Sequence, residues 1–185
     1  MRILIGVIGL VVMVLGIKQI YKGVHEMSGT SSPVPQKLGE TFTSTESGYS
    51  HRIPDGWKSK PSPQAGVTAM IVSPSESKVS SNMVTTVEAF DGSLTDYVAA
   101  NKRAVTTAAP DAKFLSDTDF VTDSKAAAHK VKLQNKMNNI DLAQTMYFFD
   151  GTNGRKIIVT CTAPAKSAEN LESLFDDCMR TFALK

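Results

Sequence analysis

Several ingredients of familiar chemistry are missing from this chain of 185 residues. It has two cysteines, three histidines and one tryptophan. There is no C-x-x-C pair and no H-E-x-x-H helix, and three histidines with two cysteines are too few converging ligands for a zinc centre. A phosphate-cradling loop of the form G-x-x-x-x-G-K followed by Ser or Thr is absent, which removes the commonest nucleotide-binding device. A G-x-S-x-G nucleophile elbow is absent too. Excess charge is also lacking. Arg2, Lys18 and Lys22 against Glu26 account for the whole net +2, so residues 37–185 are balanced at 17 basic and 17 acidic side chains. A nucleic-acid binder needs surplus Lys and Arg to displace counterions from phosphates, so no nucleic-acid partner is expected.

Long apolar runs are scarce as well, with one exception. Ile3 to Ile17 is an unbroken run of 15 apolar or Gly residues. At about 1.5 Å per residue this spans roughly 22 Å of helix, and a bilayer core of about 30 Å needs roughly 20 residues. Extension from Arg2 to Lys22 supplies them. Lys18 and Lys22 can snorkel and Tyr21 suits the interface. A cleaved signal peptide is the competing reading. It would need small residues soon after the run, yet Lys18-Gln19-Ile20-Tyr21-Lys22 follows, and the first small triplet is Ser28-Gly29-Thr30. Residues 1–22 are therefore read as an uncleaved membrane anchor, residues 23–37 as a Gly/Ser/Pro linker, and residues 38–185 as a single globular domain. Flanking charge barely sets the orientation, because basic residues stand at both ends of the run.

The cysteines bear on the compartment. Cys161 lies in a strand-like run and Cys178 on the apolar stripe of a helix that follows it. A strand and a helix folding back on it can bring the sulfurs together, and closing such a loop contributes about 3 kcal/mol on the chain-entropy account. Two buried thiols in a reducing compartment is the alternative. The even count and matched faces favour a Cys161–Cys178 disulfide, which would place the domain outside the cytoplasm.

Along the domain, Glu40 to Ile53 reads as a hairpin turning at Glu46-Ser47-Gly48. Pro54-Asp55-Gly56 is a turn signal, and Lys58 to Gly66 reads as a loop. Strands are expected over Val67–Val72 and Met83–Phe90. Ser93 and Asp96 have capping-box spacing, and the helix they open places Leu94, Tyr97, Val98, Val105 and Ala108 on one face before Pro110 stops it. Phe114–Val121, Ala127–Gln134, Ile140–Phe149 and Lys156–Thr162 read as strands, the last three as an antiparallel meander. In the second of these, His129, Val131 and Leu133 share a face opposite Lys130, Lys132 and Gln134. A final amphipathic helix over Ala168–Phe182 carries Leu171, Leu174, Phe175, Cys178, Met179 and Phe182 on its stripe. Mostly antiparallel strands with two helices make an α+β domain.

Candidate chemistry is thin. His25 belongs to the juxtamembrane stretch, His51 to the first hairpin and His129 to a packed face, and each reads as structural. Asp117 with Asp119 reads as solvated edge charge, and Asp176 with Asp177 as the solvent side of a helix. Trp57, directly after a turn, is the candidate ligand or partner contact, against a core-packing role. No catalytic, cofactor-binding or metal-binding residue stands out.

The stretch Gly48-Tyr49-Ser50-His51-Arg52-Ile53-Pro54-Asp55-Gly56-Trp57 is similar to the opening of the PsbP-like (DcrB-like) superfamily, a strand ending in (I/V)-P-x-x-W. Ile157 to Pro164, and a helix ending Met179-Arg180-Thr181-Phe182, resemble its final strand and helix. The resemblance implies an α/β/α sandwich around a mainly antiparallel sheet, and binding or scaffolding rather than catalysis. The expectation is a non-enzymatic accessory domain, held by residues 1–22 on the periplasmic side of a bacterial inner membrane and docking a protein partner. A small-ligand carrier with a pocket near Trp57 and an unrecognised hydrolase are the alternatives. A hydrolase would need Ser, His and an acid to converge.

Overall fold

In the computed structural model, residues 37–62, 66–74, 80–137 and 139–185 are described. The expected anchor 1–22, the linker up to residue 36 and His25 lie outside them. Among the described residues, no helix is long and apolar enough to cross a membrane.

Among the described residues, ten strands and two helices follow one another. β1 (Leu38–Ser44) and β2 (Tyr49–Pro54) form the expected hairpin. β3 (Lys58–Lys60), β4 (Val67–Val72) and β5 (Asn82–Ala89) precede helix α1 (Leu94–Ala108). β6 (Lys113–Val121), β7 (Ala127–Met137), β8 (Ile140–Asp150) and β9 (Arg155–Pro164) lead to helix α2 (Ala165–Arg180) and the short β10 (Ala183–Leu184). All strand pairs are antiparallel, in two sheets: β3-β4-β5-β9-β8-β7-β6, and the smaller β1-β2-β10.

Two details depart from the sequence reading. Lys58 to Lys60, expected in a loop, forms the edge strand β3 on β4. Pro61 lies just outside the three paired residues, where a missing N–H costs no ladder bond. The chain also builds a second sheet, because Ala183 and Leu184 pair with Ser50 and Tyr49 after α2 ends. A two-residue strand has no periodicity to detect. In the small sheet the guanidinium of Arg52 donates to the carbonyls of Leu38 (2.7 Å) and Gly39 (2.9 and 3.0 Å). A Cβ at Gly39 would meet the Asp55 backbone at 2.9 Å, so this close approach requires glycine.

The two faces of the large sheet are covered differently. α1 packs on β7 and β8, and Tyr97, Val98 and Val105 meet Val131, Leu133, Met146, Phe148 and Ile158 there. Ser93 caps it: its hydroxyl accepts from Asp96 N at 3.0 Å, and Asp96 accepts from Ser93 N at 3.3 Å. α2 covers the opposite face and is itself covered by the small sheet, contacting β2, β8 and β9. The larger core lies there, with Phe149 stacked on Phe182 at 3.8 Å and Tyr49 on Phe182 at 5.6 Å.

α2 starts three residues earlier than its apolar stripe suggests, because Pro164 occupies the N-cap and the first turn carries no stripe residue. Lys130 and Lys132 lie beneath it. The Lys130 ammonium is 2.7 Å from the Asp176 carboxylate and 3.1 Å from Glu172, and Lys132 is 2.7 Å from Glu172. Tyr147 donates its hydroxyl to Asp176 at 2.5 Å. Asp176, expected on a solvent face, is thus part of the lock between helix and sheet.

Candidate functional site

The sequence candidates scatter on folding. Trp57 is only 4% exposed, packed edge-to-face on Phe175 at 6.0 Å, so its indole is a core residue rather than a surface contact. Residue 57 follows Gly56, whose φ of 76° turns the chain inward. Cys161 and Cys178 enter the same core cluster, and both stand as free thiols, so the expected bridge is absent from this structure. Sharing a cluster does not by itself bring Cβ atoms to the roughly 3.8 Å a bridge needs. Burial pushes both thiols up, Cys178 to about 12, so neither is a nucleophile near neutral pH.

His51 is buried in the small sheet, parallel to the Tyr49 ring at 6.1 Å. Its Nδ1 lies 3.0 Å from the Arg52 carbonyl, and its Nε2 makes no hydrogen bond. Burial holds its pKa down at about 4, so the ring is neutral in the folded protein.

One place gathers charged groups around open space. Beside α1, against β6 and β7, lies a groove of about 250 Å³ lined by Thr95, Val98, Ala99, Lys102, Asp117 and His129. The register produces it. Asp117 pairs with Val131 and Asp119 with His129, so both acids share the α1 face with the His129 ring. Lys102 reaches down from α1 to Asp117 at 2.8 Å and lies over the Phe114 ring at 5.4 Å. His129 Nδ1 stands 3.8 Å from a carboxylate oxygen of Asp117 and 3.8 Å from one of Asp119. Further along the helix, Tyr97 donates its hydroxyl to Glu88, whose carboxyl is pushed up by burial. α1 is therefore pinned to the sheet at Tyr97 and at Lys102.

This groove is lined by polar and charged groups that can bind and orient a ligand. Its lining contains no serine, and Ser116 pairs with Lys132, which reaches α2 on the other face. His129 Nδ1 makes no hydrogen bond to any hydroxyl. The hydrolase reading thus finds acids and a histidine together but no serine to complete them. Among the described residues, no group of three or more His, Cys, Asp or Glu side chains could hold a metal ion. A second cleft, between β8 and the start of α2, has about 30 Å³, room for a single water. Trp57 lines neither of these spaces.

The convergence of Lys102, Asp117, Asp119 and His129 was invisible in the sequence. The β6–β7 register would have shown it, because Asp119 falls opposite His129, but a bulge between Phe114 and Ser116 shifts that register.

The architecture matches solved structures. CyanoP, the cyanobacterial PsbP of Synechocystis, superposes with a TM-score of 0.62 at 16% identity, over 85% of this chain and 98% of that one. The chain has the PsbP-like fold. Mog1p, a Ran-binding protein of Saccharomyces cerevisiae, matches with a TM-score of 0.57 at 10% identity, over 80% of this chain and 96% of its own. LpqN of Mycobacterium tuberculosis, described as involved in cell envelope biogenesis, matches with a TM-score of 0.58 at 11% identity, over 74% and 83%. No protein-family profile and no curated protein sequence matches the chain. The likeness therefore lies in the PsbP-like fold, and it confirms the α+β class expected from the strand pattern and the Ile53-Pro54-Asp55-Gly56-Trp57 opening.

Proposed function

We propose that this PsbP-like domain is a non-enzymatic docking module. Residues 1–22 hold it at a bacterial inner membrane on the extracytoplasmic side, and it engages a protein partner in an envelope complex. The observation that carries the reading is the groove beside α1, which is open and mixed in charge and lacks the serine of a Ser-His-acid set. A site of that kind recognises a surface rather than transforming a substrate. Function does not follow from fold, but two proteins that share it, one described as Ran-binding and one as involved in cell envelope biogenesis, are consistent with a docking role. The apolar run Ile3–Ile17 supports attachment to lipid.

Photo-crosslinking in native membranes tests it. A crosslinker at Thr95 or Asp119 should capture one protein repeatedly, while the same group at Lys58, on the far edge of the sheet, captures none. Capture that is equal at both edges, or none at either, contradicts the reading. So does release of the full chain from membranes by alkaline carbonate.

A further inference from the structure

The two edges of the large sheet are built unlike one another. β3 has three residues, all exposed, and carries Lys58 and Lys60. A short, charged edge is a usual defence against unwanted strand pairing. β6 ends the sheet on the other side with nine residues, and among the described residues no strand pairs with its outer edge. Three large apolar side chains are exposed among the described residues, and two of them are on β6: Leu115 at 53% and Val121 at 51%. β6 is long enough to template another strand beyond its bulge at Phe114–Ser116, and its Asp117 and Asp119 select which strand can pair there.

Next to this edge lies the groove. A strand added to an open edge gains main-chain hydrogen bonds and takes its specificity from neighbouring pockets. On the α1 face of β6 those neighbours are Asp117, Asp119 and Val121. The Asp119 side chain is 92% exposed and its carboxylate has only the His129 ring nearby, while Asp117 is matched by Lys102. The face has a surplus of negative charge ending in an apolar residue. A second copy of β6 does not fit. In a twofold pairing centred on Thr118, Leu115 would meet Val121, but Asp117 would meet Asp119, and opposed like charges destabilise a strand pair.

We infer that β6 accepts, by strand addition, an extended segment of a partner protein with Lys or Arg at two alternate positions followed by an apolar residue. This rests on the docking reading above. The basic side chains lie over Asp117 and Asp119 beside α1, and the apolar one lies against Val121.

The test uses the full chain in detergent micelles. The probes are two fluorescent synthetic peptides as long as β6, alternating threonine with Val-Lys-Lys-Val in one and with Val-Glu-Glu-Val in the other. The lysine peptide should bind about tenfold more tightly than the glutamate peptide, since two cross-strand charge pairs change sign. Asp119→Lys should remove or invert that preference, and Lys58→Glu should leave it intact. Intermolecular backbone NOEs between the lysine peptide and β6 should report the added strand. Equal binding of the two peptides, binding of neither, an unaltered preference in Asp119→Lys, or NOEs confined to other elements each overturns the inference. Concentration-dependent self-association with intermolecular NOEs between β6 of one copy and β6 of another would mean that a second copy occupies the edge, and would overturn it too. If neither peptide binds β6 while crosslinking from Thr95 still captures the partner, docking stands and this mode of it falls.

Discussion

On one face of the large sheet α2 is buried beneath a second sheet, and on the other α1 stands alone. Stacked aromatics, with Phe149, Phe182 and Tyr49 at their centre, fill the α2 side. Charge there is locked between Lys130, Lys132, Glu172, Asp176 and Tyr147. The α1 side has a smaller core, and its polar groups border open space. Both faces use ion pairs; Lys130 is more buried than Lys132 on the α2 face, while Lys102 and Asp117 border the larger groove. The larger core lies on the α2 side, and the proposed docking falls to the other.

The comparison breaks most sharply at Phe182. Phe182→Ala should lower stability by about 3–5 kcal/mol, since it opens a cavity under two stacked rings. Urea denaturation measures this, and a loss under about 1 kcal/mol would show that the α2 face is not the stable one.

His51, in the same layer, makes the difference pH-dependent. Its folded pKa of about 4 lies below the ordinary 6.5, so the unfolded chain binds the extra proton. Its contribution is complete above pH 6.5, declines as pH falls through the window from 6.5 to 4, and changes no further below that. The total loss is about 3 kcal/mol. His51→Phe should flatten that slope in chemical denaturation run across the window. An unchanged slope would assign the acid sensitivity to other groups.

Lys130→Met should cost about 2 kcal/mol, less than breaking an isolated buried pair, because Tyr147 still donates to Asp176 and Lys132 still faces Glu172. The smallest effect is expected on the α1 side. Lys102 and Asp117 are both about one-third exposed, and Lys102→Ala should change stability by no more than about 0.5 kcal/mol. If thermal melts showed Lys102→Ala to be as harmful as Lys130→Met, the division between the faces would be false.

Much of the scaffold was legible in the sequence, for reasons visible in particular residues. Ser93 and Asp96 announced the start of α1, and their reciprocal capping bonds are formed. Leu171 through Phe182 announced α2, whose stripe is buried as the spacing requires. The turns at Gly48, Asn139 and Gly154 adopt positive φ. What the sequence could not convey was pairing between distant segments. Nothing at Lys130 points to Asp176, and nothing at His129 points to Asp117. Trp57 misled because a tryptophan after an exposed turn reads alike whether its ring swings outward or, as here, onto Phe175. The β6 edge became meaningful only once the strand order placed it last.

The most direct measurement is amide hydrogen exchange on the full chain in its native membranes, compared with the purified chain in micelles. The account predicts slowed exchange in membranes at β6 and the first turns of α1, with β3 and the small sheet unchanged. Slowing at β3 or at β1-β2-β10, with β6 unaffected, would contradict it.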